Sequence, residues 1–401
     1  MEILVLDTIH GGADLADQLV SAGHRADTVD VYRGEQGITP EEAAARRYDL
    51  LVAPVHLDPG YPLLSSVQAP RITHHLAVRM LLSGKAPRPM VEVTGARGKT
   101  TTAHAIAHSL GGAGVLHTSR GTFRFPGQEL LWKRSITPAS VVPAAAEAVK
   151  ISGWLVAEES LGVSGAGDVA VLTSGEDYRI AAGKRSALEA KVGSMRDVPV
   201  AVIPPGVRFD HPHLVESGKC VRWDGDLCSY DHNGIRGEFR NPLAVLPAYR
   251  DPLSLAAAAL CALGKDPGAL AGFTGVEGRL SAAKEDGIIV VDNANSGTTA
   301  GTTEAAAAYA RSLSGGGWVT LVIGEEDRTV CEGFPPGEMA GSITKIHPDR
   351  LILVGERGRA VRPGGFGKRI AYADTLEAAR ALALMGTPAG GAVVLAVKTW
   401  R

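Results

Sequence analysis

The segment Thr94-Gly-Ala-Arg-Gly-Lys-Thr-Thr-Thr102 constrains this chain more than any other stretch. It follows the apolar run Met90-Val-Glu-Val-Thr94 and precedes a helix-forming stretch over 103–110. A glycine-rich turn between a strand and a helix aims successive backbone N–H groups and the positive end of the helix at one point, and that arrangement holds a phosphate chain. In this frame Gly95, Ala96, Arg97 and Gly98 wrap the phosphates, with Thr101 at the base of the helix. Lys99 reaches the terminal phosphates and Thr100 supplies the hydroxyl that coordinates magnesium. Val93 stands where the first glycine of the longer G-x-x-x-x-G-K-[ST] pattern belongs, so this is the shorter G-x-x-G-K-T-T form. Such a turn indicates nucleotide binding and leaves the reaction open.

The rest of the chain alternates strand and helix signals, which predicts an α/β fold with parallel sheets. Ile3-Leu-Val-Leu6 reads as a strand, Asp7, Gly11 and Gly12 as a turn, and Leu15, Leu19 and Val20 as the apolar face of a helix. With strands over 26–32 and 50–55, residues 1–88 form a small Rossmann-like unit, closed by the polar, proline-containing connector 83–89. A central ATP-binding domain is expected over 89–274, with strands over 154–157, 169–172 and 200–203 and an alanine-rich helix over 253–263. Between residues 219 and 238 short alternating runs around Asp224-Gly225 predict a small antiparallel appendage. A third α/β domain is expected over 275–401, with strands over 288–291, 319–323, 350–354 and 392–397 and helices over 303–312 and 376–385. A length of 401 residues suits two or three domains. The 49 glycines and 5% aromatic content suit close packing of helices on sheets.

A net charge of −2 gives no global field for nucleic acid or an anionic membrane, so neither is an expected partner. Cys220, Cys228, Cys261 and Cys331 form no CxxC pair and no zinc spacing, which suits a reduced, cytoplasmic protein. No window is long and apolar enough to span a bilayer, and the acidic start lacks the basic residues of a signal peptide. The oligomeric state is open at this level.

The phosphate segment resembles the ATP loop of the Mur ligases and folylpolyglutamate synthetases, and later positions fall in the same order. Leu155-Val-Ala-Glu158-Glu159-Ser160 resembles the strand that ends in a magnesium-binding glutamate, here Glu158. Val171-Leu-Thr-Ser-Gly-Glu-Asp-Tyr178 resembles the strand and loop after it, and Ala190-Lys191 the pair that carries the family's often carbamylated lysine. Gly278-Arg279 and Val290-Val-Asp292-Asn-Ala-Asn295 resemble the ATP-contacting arginine and aspartate at the entry to the last domain. The resemblance implies a three-domain ligase that uses ATP and magnesium to turn a carboxylate into an acyl phosphate, with Lys99, Glu158 and Lys191 catalytic and Thr100 and Glu158 on the metal. Two positions depart from the pattern. Tyr178 stands where a second metal-binding residue is usually histidine, and Pro247-Ala-Tyr-Arg-Asp-Pro252 replaces the asparagine-rich stretch that contacts adenine. An acyl phosphate must be shielded from water, and Gly275 and Gly278 are candidate hinge positions for a closing third domain.

No uridine-diphosphate signature marks the N-terminal domain. The start Val5-Leu-Asp7-Thr-Ile-His10-Gly-Gly12 and the ending Val397-Lys-Thr-Trp-Arg401 resemble a Mur-type subgroup of methanogens. That resemblance implies a nickel tetrapyrrole carboxylate as the small-molecule substrate, closed onto a ring carbon by carbon–carbon bond formation. Arg120, Arg124, Lys133 and Arg134, interleaved with Phe123, Phe125 and Trp132, form a candidate surface for a polycarboxylate macrocycle, with a plain exposed basic loop as the competing description. His10, His74 and His75 are read as structural or surface groups more than as ligands. An amide-forming ligase with the same ATP residues, and a nucleotide switch, are the alternative functions.

Overall fold

In the computed structural model, residues 1–276, 280–295, 297–326, 333–362 and 369–399 are described. Gly278, Arg279, Cys331, Trp400 and Arg401 lie outside the described residues. By contacts the chain divides into two compact units, Met1–Phe273 and Thr274–Arg401.

The first strand, Glu2–Leu6, buries Ile3, Leu4, Val5 and Leu6 completely, as a strand covered on both faces of a parallel sheet must. It pairs in parallel with Arg25–Val29 on one side and Leu50–Ala53 on the other, and Arg71–Thr73 extends the sheet beyond the latter. The connection after the first strand leads to one edge and that after Leu50–Ala53 to the opposite edge. Such a reversal opens a crevice at the carboxyl ends of the two strands.

A second sheet of eight strands carries the phosphate loop. Its order is Leu214–Glu216, Val200–Ile203, Val169–Leu172, Met90–Thr94, Trp154–Glu158, Gly114–Thr118, Gly121–Phe125, Glu129–Trp132. The first six are parallel and the last two run antiparallel as an edge ribbon. Met90–Thr94 lies between Val169–Leu172 and Trp154–Glu158, with Val93 opposite Glu158. The loop and the glutamate therefore leave neighbouring strands at the same end of the sheet. The connector after residue 82 does not isolate the two sheets: Ile3, Val5, Ala77 and Val78 share one apolar core with Val141, Ala144, Ala145 and Leu155.

Helices begin earlier than their apolar periodicity suggests. The helix after the phosphate loop spans Lys99–Leu110 and the alanine-rich helix Pro247–Ala262. In the first, Gly98 at φ 81° supplies the left-handed turn that lets Lys99 start the helix. In the second, proline at the first position tolerates its missing N–H. The expected appendage is a three-stranded antiparallel sheet of Val221–Asp224, Leu227–His232 and Ile235–Arg240.

The second unit holds a six-stranded sheet ordered Ser281–Glu285, Ile288–Asp292, Ala392–Lys398, Val319–Glu325, Arg350–Val354, Ile370–Ala373. Only the first pair is antiparallel. Helices Ala300–Leu313 and Leu376–Met385 accompany it, the latter over the stretch its sequence indicates. Two of the three large α/β sheets therefore lie in the first compact unit and one in the second, the mixed α/β class expected from the sequence.

Candidate active site

Gly95 and Gly98 are required by geometry. A Cβ on Gly95 would lie 2.1 Å from Thr173 Oγ1, and Gly95 and Gly98 adopt φ of 150° and 81°. Thr173 Oγ1 donates within reach of Thr94 O (3.1 Å) and Arg97 O (2.5 Å), while Ser174 Oγ accepts from the N–H groups of Ala96 (3.0 Å) and Arg97 (3.4 Å). The strand Val169–Leu172 thus hands over directly to a pair of hydroxyls that hold the loop open. Sequence reading singled out neither Thr173 nor Ser174 as a loop support, because their partners are some 80 positions earlier and only the sheet pairing brings them together.

Glu158 is 2% exposed. Its Oε2 accepts from Thr100 Oγ1 at 3.0 Å and from Ser119 N at 3.1 Å, and its Oε1 lies 3.9 Å from Lys99 Nζ. Lys99 Nζ also donates to Gly95 O at 3.1 Å. Lys99, Thr100 and Glu158, separated by nearly 60 positions, are one cluster. Ser119 joins it without any motif to mark it, since the turn after Gly114–Thr118 reaches the site only through strand order. The adjacent Glu159 points elsewhere. It is fully buried next to Glu92, and burial first, then the negative charge of Glu92, holds its carboxyl well above the usual range. The two glutamates are thus separated by direction, Glu158 toward the phosphate loop and Glu159 toward Glu92 in the core.

Lys191 lies on the helix Ala187–Ser194, capped by Ser186 Oγ accepting from Glu189 N. It is 1% exposed, which is unusual for a lysine. Its ammonium sits 4.4 Å from the centre of the Tyr178 ring and 3.4 Å from the Tyr178 hydroxyl. Burial first, and then the charge of Lys99, lowers its pKa from the ordinary 10.5 to about 8. Tyr178, the departure from the family's histidine, therefore serves as a lid on Lys191. The segment that replaces the asparagine-rich stretch does meet the loop: a Cβ on Gly98 would lie 3.7 Å from Pro252 Cγ. In the second unit, Asp292 ends the strand Ile288–Asp292 and its Oδ1 accepts from Ala294 N at 2.9 Å. It lines a cavity of about 530 Å³ with Glu326 and Arg380, whose guanidinium is engaged by Glu285. Arg279 falls outside the described residues.

The basic stretch falls on and beside an edge ribbon of the second sheet. Arg124 lies on the antiparallel edge ribbon Gly121–Phe125 and Glu129–Trp132 and is ion-paired with Glu129 and Glu147, whereas Arg120, Lys133 and Arg134 lie just outside its strands. Phe125 packs on Trp154, with ring centres 5.1 Å apart, instead of offering a platform. Lys133 and Arg134 are exposed and Arg120 is half-buried. His74 and His75 are structural, as expected: their Nε2 atoms lie 2.9 Å from Leu6 O and Ser160 O, and burial lowers both to about 4.

Comparison with known proteins places the chain among relatives of known family. The family model described as coenzyme F430 synthetase CfbE, C-terminal domain, matches residues 282–399. The coenzyme F(430) synthetase of Methanosarcina acetivorans is 31% identical over 439 aligned positions, covering 90% of this chain and 91% of the relative. That of Methanocaldococcus jannaschii is 23% identical over 222 positions, covering 50% and 51%. Among solved structures, the UDP-N-acetylmuramoylalanyl-D-glutamyl-2,6-diaminopimelate–D-alanyl-D-alanyl ligase of Acinetobacter baumannii superposes with a TM-score of 0.57 at 15% identity, over 90% of this chain and 83% of that one. The MurF ligase of Thermotoga maritima, solved with ADP, gives 0.52 at 13% identity over 88% and 86%. Fold, phosphate loop and relatives together define an ATP-dependent ligase on the Mur ligase scaffold. Within that class, the extent of the Methanosarcina match decides the particular family, and the chain belongs to the coenzyme F(430) synthetases.

Proposed function

We propose that this ligase phosphorylates a propionate carboxylate of a nickel tetrapyrrole acid and closes the activated carbonyl onto a ring carbon, releasing ADP and phosphate. The observation that carries the carboxylate-activating part is the cluster of Lys99, Thr100 and Glu158 at the mouth of the phosphate loop. The substrate assignment rests on family membership. A carboxylate oxygen is a poor leaving group, and as a phosphate it departs readily. The loop N–H groups and Lys99 place positive charge where negative charge gathers on the transferring group, so positioning and electrostatics supply the acceleration.

Magnesium is implied by this chemistry. Thr100 Oγ1 and Glu158 Oε2 are hard oxygen donors side by side at the loop, the donor type that magnesium takes, and they fit it. When bound there the ion would neutralise phosphate charge. Lys191, with its pKa lowered to about 8, keeps a fraction of free amine near neutrality that adds carbon dioxide, and the carbamate would bring a further anionic oxygen close to Lys99. Exposed Lys133 and Arg134, with Arg120, are assigned to substrate carboxylates, and Asp292 with Arg279 to ATP.

The test follows ADP release and product mass with ATP, magnesium and a nickel tetrapyrrole seco-acid. Acid-dependent ADP release with product lighter by one water supports ring closure. A requirement for an added amine would establish amide formation instead, and ADP release without any acid would indicate a switch.

A further inference from the structure

We propose that Asp7, His10 and His56 form a binding site for a free divalent transition-metal cation, of the zinc or nickel class, at the carboxyl end of the N-terminal sheet. Asp7 directly follows the strand Glu2–Leu6, and His56 follows its sheet neighbour Leu50–Ala53. These are the strands between which the connections reverse, where open parallel sheets hold ligands. Asp7 is fully buried. Its Oδ1 accepts from the N–H groups of Ile9 (2.9 Å) and His10 (3.1 Å), which leaves Oδ2 between the two imidazoles. His10 Nδ1 is 2.8 Å and His56 Nε2 3.3 Å from that oxygen, and one donor atom from each residue lies within 4.8 Å of the others.

Two features exceed what an ordinary hydrogen-bonded aspartate needs. His56 Nε2 is buried, and its 3.3 Å approach to the carboxylate is not a well-formed hydrogen bond. Asp7 also holds φ 76° and ψ 100°, a conformation that a non-glycine residue avoids unless its surroundings impose it. The surroundings do so: a Cβ on Gly12 would lie 1.7 Å from Asp7 O, and Gly11 turns at φ 90°. Tyr32 lies parallel to His56 at 6.2 Å between ring centres and edge-on to His10 at 5.3 Å, which fixes both rings.

Two imidazole nitrogens and a carboxylate oxygen are the donor set that zinc, nickel and iron share. Ligands at roughly 2.0–2.2 Å from such an ion stand about 3 Å or a little more from one another, as each imidazole nitrogen does from Asp7 Oδ2. A nickel ion already held in a macrocycle accepts one axial ligand per face, so three donors converging from one side suit a free cation better. The half-exposed side of His10 leaves an entry path.

The full-length chain, stripped with a chelator, would be titrated with zinc and with nickel ions by calorimetry and by melting temperature, and with cobalt by visible absorption. One cation per chain, a raised melting temperature and a cobalt spectrum of nitrogen and oxygen ligation are expected. His10→Ala and His56→Ala should each weaken binding by at least about tenfold. His213→Ala, at an exposed site away from the cluster, should leave it unchanged. Asp7→Asn tests the carboxylate while keeping the shape of the strained turn. Binding that survives in the His10→Ala/His56→Ala double variant overturns the proposal, as does failure of all three ions to bind. A third overturning result is loss of nickel tetrapyrrole affinity in these variants without free-ion binding, which would give the site to the substrate.

Discussion

Replacing Glu158 with glutamine tests the active-site reading with little change of shape. The carboxylate accepts from Thr100 Oγ1 at 3.0 Å and Ser119 N at 3.1 Å and faces Lys99 Nζ at 3.9 Å. A hydrogen bond to a charged partner contributes about 1.5–3 kcal/mol. Converted to rates, that range is roughly 10- to 150-fold. The glutamine variant should therefore lose activity by about that factor and need more magnesium to reach half its maximal rate. Folding stability should not fall with it, because the amide removes the penalty of a buried carboxylate. ADP release across a magnesium series, alongside a melting curve without nucleotide, measures both. If rate and magnesium dependence are unaltered, Glu158 does not hold the metal. If melting temperature and rate collapse together, its role is structural.

Gly95→Ala forces a methyl onto Thr173 Oγ1 at a φ of 150°, and should destabilise the fold by about 1–3 kcal/mol and abolish ATP binding, as denaturant unfolding and nucleotide calorimetry would register. Lys191→Met removes an ammonium that burial disfavours. The folded pKa of about 8 lies below the ordinary 10.5, so the wild type gains stability as pH rises between those values, and the variant should lose that slope together with its turnover. Glu159 has the opposite sign. Its raised folded pKa makes its contribution full below the ordinary carboxylate range and lost as pH climbs toward the folded value, so Glu159→Gln should flatten the pH dependence of urea midpoints and be the more stable protein at neutral pH. Lys133→Ala with Arg134→Ala should raise KM for the tetrapyrrole acid and weaken its salt dependence, whereas Arg124→Ala should alter KM little.

The phosphate loop was legible in the sequence because it is local: its glycines, lysine and threonines are consecutive, and the strand and helix around it follow from apolar runs and helix formers. The buried strands such as Glu2–Leu6, Leu50–Ala53, Val169–Leu172 and Val319–Glu325 were legible for the same reason, since a buried parallel strand is a short uninterrupted apolar run. Shorter or more polar strands such as Arg71–Thr73, Gly114–Thr118, Leu214–Glu216, Ser281–Glu285 and Ile370–Ala373 were not read. Helix starts were less legible. The first turns of the helices beginning at Lys99 and Pro247 are set by Gly98 and by proline rather than by apolar spacing.

What needed the tertiary structure is every relation made across the sheets. The choice of Glu158 over Glu159 is a matter of which side of a strand end faces the loop and which faces Glu92. Ser119, Thr173 and Ser174 enter the site through pairing of distant strands, and the ribbon brings Arg124 to Glu147. His56 gained its meaning only when the order of the N-terminal strands placed it beside Asp7. The sequence by itself determined a phosphate-loop turn at Gly95–Thr101 on an α/β scaffold, since backbone turns of that kind are encoded by neighbours. Tertiary structure alone decided which charged side chains meet that phosphate site and which are neutralised elsewhere, because burial and strand order set the distances between charges.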